Sequence, residues 1–185
     1  VMPNEADQVQ LAIAKANQYN QFFGRLARQN ELVANYASRF SESDGCVQPG
    51  IWIAPTSSNL TTSEMRDATI RSLCIPARMM QSLHETERDL AFCYIGTEDG
   101  VLVTWPYNND SLKSTAPFSY KDKPYYELAK SRKKTIWTGP YVNDQGDRMM
   151  TITTPFFREG DFAGIMGMDV SIESIFMDLS TMRGR

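Results

Sequence analysis

Tyr19, Phe22, Leu26, Val33, Tyr36 and Phe40 recur mostly at steps of three and four residues, with Gln, Asn, Arg and Lys between them. That rhythm puts the apolar side chains on one stripe of a helix, predicted from about Glu5 to Arg39. No proline interrupts it after Pro3, and Gly24 is its weak position. A helix of roughly 35 residues is about 50 Å long, more than a compact domain needs. Its surplus is expected to meet a partner helix or a membrane tether. The pattern then breaks in "SESDGCVQPGIWIAPTSSNLTT", a loop with a short apolar piece at Ile51–Ala54. Thr61 and Glu64 form a capping box, so a second helix begins near Thr62. Met65, Thr69, Leu73, Met80 and Leu83 supply its stripe, and Pro76 is expected to kink it.

From Leu90 the period changes to two. "LAFCYIG" and "VLVTW" flank "TEDG", whose Asp99-Gly100 step signals a hairpin. An irregular polar stretch runs to about Tyr120, followed by a short helix near Tyr125–Ser131. Strands are predicted around Ile136–Tyr141, Arg148–Phe157 and Phe162–Val170, turned by "NDQG" and "REGD". Ser171 then caps a last helix from Ile172 to about Met182. Five strands joined mainly by hairpins, with helices to one side, make an α+β domain around an antiparallel sheet. The division expected is a stem helix over residues 1–43 and a sensor-sized module over residues 44–185.

The 185 residues carry a net charge of −3, which lacks the basic excess of a nucleic-acid footprint. No stretch approaches 18 consecutive apolar residues, and no basic segment leads into an apolar one, so neither a membrane span nor a signal peptide is read here. A start at Val1 and the ending "TMRGR" read as an excised portion of a longer chain. Cys46, Cys74 and Cys93 are odd in number and far apart, and His84 is the only histidine. Metal binding is therefore not expected, and no cofactor is expected either. Buried thiols are the favoured state of the cysteines, with a Cys46–Cys74 disulfide as the alternative. With no nucleophile elbow, no glycine-rich phosphate loop and a histidine remote from any such motif, catalysis within the chain is not expected.

"KPYYELAKSRKKTIWTGPYVNDQGDRMMTITTPFFREGDFAGIMGMDVSIESI" resembles the second half of a Cache domain, the extracellular PAS-like sensor fold. An aromatic pair opens a short helix, a tryptophan sits on the next strand, a proline ends the strand that follows, and "GIMGMDVS" closes the unit. "DLAFCYIGTEDGVLVTWP" matches the hairpin before it, and the upstream helices match a membrane-proximal stem. The resemblance implies a single Cache module: a five-stranded antiparallel PAS-like sheet with a long N-terminal helix and flanking helices. It implies an extracytoplasmic (periplasmic or extracellular) sensor tethered to a membrane within a histidine kinase, chemoreceptor, cyclase or phosphatase. Its partners would be a small-molecule ligand, a carboxylate, an amino acid or an amine, and a second copy docked through the N-terminal helix. A ligand-independent dimerisation or spacer module is the other reading.

Amino-acid-binding Cache domains carry an arginine, a Trp-Tyr pair and a late aspartate. Lys123 stands at the arginine position, Tyr125 and Tyr126 at the pair, and Asp169 at the aspartate; Tyr141 and Asp144 resemble the intervening Tyr and Asp, and Phe118 aligns with an upstream aromatic. Trp137 completes the candidate ligand-binding set. Lysine keeps the charge of arginine but loses its planar two-pronged grip on a carboxylate. Asp144 and Asp169 beside aromatic rings would equally suit an amine. Asp169 is the most telling member, because a carboxylate inside the apolar run "FAGIMGMDV" is costly unless it has partners.

Overall fold

The computed structural model describes residues 5–39, 51–53, 63–106, 120–143 and 146–183. In chain order these form α1 (Glu5–Ser38), β1 (Ile51–Ile53), α2 (Ser63–Ser72), α3 (Cys74–Thr86), β2 (Leu90–Thr97), β3 (Val101–Trp105), α4 (Pro124–Arg132), β4 (Ile136–Val142), β5 (Arg148–Arg158), β6 (Asp161–Ser171) and α5 (Glu173–Arg183). The five expected strands are all present. The short apolar piece becomes a sixth, edge strand, and the sheet order is β1-β3-β2-β6-β5-β4. Every neighbouring pair is antiparallel.

Strand alternation sorts the sheet into two faces. Cys93 and Ile95 of β2, Ile152 and Phe156 of β5, and Met166, Met168 and Val170 of β6 point to one side. There they pack with Leu26, Val33, Ala34 and Ala37 of α1 and with Leu73, Ala77 and Met80 near the α2–α3 junction. Tyr94, Leu102 and Ile165 point to the other side, where Tyr126 and Ala129 of α4 cover them. The stripe of α1 is rotated from the expected one: Ala34 and Ala37 are buried, whereas Tyr36 is 38% exposed, with the Arg39 guanidinium 5.4 Å from its ring centre.

Two local departures have plain causes. The expected kink at Pro76 is a full break, dividing the helix at Leu73. A proline cannot donate to the carbonyl four residues back and clashes with it, which releases Ser72; as the third residue of α3, Pro76 has no such bond to make. Leu73 is itself wholly buried, so the break sits in the core. Cys74 is disulfide-bonded, against the expectation of buried thiols. Cys93 is a buried free thiol, held far above its usual pKa first by burial and then by the charge of Asp169. Cys46 lies outside the described residues.

Arg158, at the end of β5, ties the helical layer to the sheet. Its guanidinium donates to the Ala37 carbonyl at 3.1 and 2.9 Å and to Ser72 Oγ at 3.0 Å. A cation therefore meets the C-terminal turns of α1 and α2, where unpaired carbonyls and the helix dipole both favour positive charge. In the N-terminal half of α1, Lys15 and Tyr19 hold Asp178 of α5 at 2.7 and 2.8 Å. Ser171 Oγ accepts from the Glu173 N–H at 3.4 Å, a long version of the expected cap.

Candidate functional site

Asp169 lies on β6 between Met168 and Val170, both of which face the helical core. Alternation turns its side chain to the opposite face, level with Thr151 of β5 and Phe92 of β2 in the cross-strand register. Thr151 Oγ1 donates to Asp169 Oδ1 at 2.7 Å, and the Tyr94 hydroxyl approaches the same oxygen at 3.5 Å. The Tyr141 hydroxyl lies 3.2 Å from Thr151 Oγ1. Tyr125, from the first turn of α4, sets its ring 5.6 Å from the Tyr94 ring at an interplanar angle of 52°. The result is a carboxylate among hydroxyls and aromatic faces, with Phe92 and Tyr141 still 42% and 40% exposed beside it.

Tyr94 can take this place because β6 carries glycine opposite it. The register pairs Tyr94 with Gly167, and a Cβ on Gly167 would overlap the Tyr94 ring. Gly96 plays the same part for the ring of Tyr120. Two glycines thus let two tyrosine rings lie against the sheet, one at the site and one toward the β2–β3 turn.

Burial raises the Asp169 carboxyl from 3.8 to about 6, while its hydrogen bonds from Thr151, Tyr94 and Tyr141 pull the other way without cancelling the effect. No cation pairs with Asp169 among the described residues. In return the phenols of Tyr94, Tyr125 and Tyr141 are raised above their ordinary value of 10.0, first by burial and next by the Asp169 charge. They are neutral donors at any physiological pH. A desolvated carboxylate with neutral donors and π-faces around it is chemically suited to a small molecule bearing a cationic or hydrogen-bond-donating group.

Of the residues singled out from sequence, Tyr125, Tyr141 and Asp169 come together here. Trp137 does not. It pairs with Ile152, whose side chain faces the helical core, and its own ring packs edge-on against Phe23 of α1 at 5.1 Å. Tyr126 follows Tyr125 on α4 and so points elsewhere. It is 1% exposed, its ring meets Tyr120 and Phe162, and its hydroxyl bonds Glu98 at the β2–β3 turn, where Lys130 also pairs at 2.8 Å. Lys123 is the exposed N-cap of α4, directly before Pro124 at the first helical position. Phe118 and Asp144 lie outside the described residues. Sequence reasoning missed Phe92, Tyr94 and Thr151. Phe92 and Tyr94 alternate with Cys93 and Ile95, a period-two signal for a second, aromatic face; Thr151 needed the β5–β6 register.

Residues 35–176 match the family described as "Methyl-accepting chemotaxis protein-like, first PDC sensor domain". The chain is 29% identical over 90 residues to the methyl-accepting chemotaxis protein McpA of Pseudomonas putida KT2440, a match covering 48% of this chain and 13% of that one. The fold is similar to the ligand-binding domain of the amino acid chemoreceptor PctC of Pseudomonas aeruginosa PAO1, solved with GABA, at a TM-score of 0.59 and 17% identity over 90% of this chain and 62% of that one. It is also similar to the PctB domain of the same organism, solved with L-Arg, at a TM-score of 0.54 and 22% identity over 89% and 55%. The chain thus spans about three-fifths of these solved domains and a small part of the curated receptor. The α+β fold, the two-faced antiparallel sheet and the match over residues 35–176 together establish that this chain belongs to the methyl-accepting chemotaxis protein-like PDC sensor domains, of Cache-type, PAS-like fold.

Proposed function

We propose that this domain is the extracytoplasmic ligand-reading part of a membrane-tethered chemoreceptor, and that its ligand carries an ammonium group seated on Asp169. The observation that carries the reading is that carboxylate: desolvated, bonded by Thr151 and Tyr94, and without a cation partner among the described residues. A ligand ammonium would supply the missing charge, and the rings of Tyr94, Tyr125 and Tyr141 would wall it. Amino acids and plain amines both meet this requirement. Lys123 is the candidate for the carboxylate of an amino acid, with Phe118 and Asp144 as further proposed ligand-binding residues. GABA and L-Arg, bound by the PctC and PctB domains, both bear such a cation.

The domain is further proposed to pair with a second copy through α1. Val9, Leu11 and Ile13, on the N-terminal half of that helix, are each about half exposed. The test is a thermal-shift screen of amino acids, amines and short carboxylates on the wild type, Asp169→Asn and Lys123→Ala. An amino acid or amine should raise the melting temperature of the wild type, and Asp169→Asn should abolish the rise. Loss of the response in Lys123→Ala for amino acids, with amines unaffected, would assign Lys123 to the carboxylate. If no compound shifts the wild type while sedimentation shows a dimer, the ligand-independent spacer reading replaces this one.

A further inference from the structure

On the other side of the sheet, α1 and α3 part to leave a groove of about 420 Å³, within the range of small-molecule sites. Its walls are apolar: Leu32 and Val33 from α1, and Ile75, Met79 and Leu83 from α3. Leu32 and Ile75, which both line it, are 52% and 44% exposed. Arg78 also lines it, one helical turn beyond Ile75. This guanidinium is exposed and has no ion pair or hydrogen bond among the described residues. At the Gln29 end of the groove the Glu87 carboxylate is already held, by Gln29 Nε2 at 3.0 Å and by Arg25 at 3.0 Å. Arg78 is thus the charge that the groove offers to an occupant, and its sign selects an anion.

We infer that the groove between α1 and α3 is a second binding site, for a medium-chain carboxylate whose head pairs with Arg78 and whose chain lies along Leu32, Met79 and Leu83. From Arg78 to Thr86, the last lining residue, α3 rises about 12 Å, enough for an extended alkyl chain of medium length. Guanidinium grips carboxylate with two parallel bonds, and the apolar walls reward each added methylene. A short acid would reach Arg78 but leave Leu32 and Leu83 wet. A bare alkane would leave Arg78 without an anion. The site is separate from Asp169, because α3 and Asp169 lie on opposite faces of the sheet.

Calorimetric titration of the whole domain with octanoate, butyrate and 1-octanol tests the assignment. Octanoate should bind saturably at one site, and butyrate at least tenfold more weakly. Arg78→Gln should weaken octanoate roughly tenfold without changing octanol, while Leu32→Glu should abolish both. Both positions are exposed, so circular dichroism should show each variant folded. Asp169→Asn should leave octanoate binding intact, which separates failure here from failure at the first site. Octanoate heats that never saturate, or equal affinity in wild type, Arg78→Gln and Leu32→Glu, would overturn the proposal. So would a concentration-dependent dimer that Leu32→Glu dissolves and octanoate does not compete with, since that assigns the groove to a second copy.

Discussion

Replacing Asp169 by asparagine should make the unliganded domain more stable at neutral pH, and only there. The folded protein holds the Asp169 carboxyl at about 6 against 3.8 for a free one, so between those values it binds a proton that the unfolded chain has released. Stability from this group is therefore complete below about pH 4 and falls as pH rises through 6. A difference of that size corresponds to roughly 3 kcal/mol. Partial exposure lets water screen the charge, which leaves about 1–2 kcal/mol as the expected cost at pH 7.5. Asparagine removes the charge and keeps an oxygen for the Thr151 bond. Its melting temperature should exceed that of wild type by about 3–6 °C at pH 7.5, with the gap closing by pH 4. Scanning fluorimetry of both proteins from pH 4 to 8 measures this directly. A gap that is constant across the range, or a variant less stable at pH 7.5, would show that Asp169 is already compensated in the free domain. The reading of it as a seat for a ligand cation would then fail.

Three other changes probe the surrounding architecture. Gly167→Ala should push the Tyr94 ring off β6, lowering stability by about 1–3 kcal/mol and removing the ligand-induced thermal shift; an unaltered shift would place the ligand away from Tyr94. Arg158→Gln should cost about 2–3 kcal/mol, because its charged bonds to Ala37 and Ser72 hold two helix ends, and amide exchange should rise first in the last turn of α1; uniform exchange would refute the tie. Tyr126→Phe should cost about 1–2 kcal/mol by leaving Glu98 to Lys130 alone, yet keep the ligand response that Asp169→Asn loses; loss of that response would return Tyr126 to the ligand site.

Elements were easier to read from sequence than the direction in which each side chain points. Strand alternation and the Asp99-Gly100, Gly146 and Gly160 turns placed β2 to β6 within a residue or two of their observed ends, since those signals are local. Asp169 stood out because a carboxylate in an apolar strand conflicts with its surroundings. Trp137 and Tyr126 are turned away from Asp169 for a different reason. Each is one residue from a position on the other face or flank, and which one faces Asp169 depends on the β4–β5 register and the roll of α4. Those are set by long-range packing, the Trp137–Phe23 contact and the Tyr126–Glu98 bond, which join residues far apart in the chain. The resemblance supplied a ligand motif but not the cross-strand partners, and so Tyr94 and Thr151 were invisible to it.

The same strands that hold the site also support α1, and this bears on how occupancy would reach the rest of a receptor. Thr151 and Asp169 face the candidate site, while their immediate neighbours Ile152, Met168 and Val170 pack in one core with Leu26, Val33 and Ala37 of α1. Only the thickness of a β-sheet separates the two sets. A ligand that draws Asp169 toward itself must move backbone atoms shared by both faces, and a close-packed core transmits such a shift rather than absorbing it. Arg158 fixes the C-terminal turn of α1 to β5, so a response would pass to the N-terminal half, which meets α5 through Lys15 and Tyr19 on Asp178. A ligand can displace that half only to the extent that it binds one arrangement of β5 and β6 better than the other. Spin labels at Val9 and Leu179 should therefore change separation on ligand addition in wild type. If Arg158→Gln binds ligand normally yet shows the same change, the tie at α1 is not needed for transmission, and the β5–β6 core carries it alone.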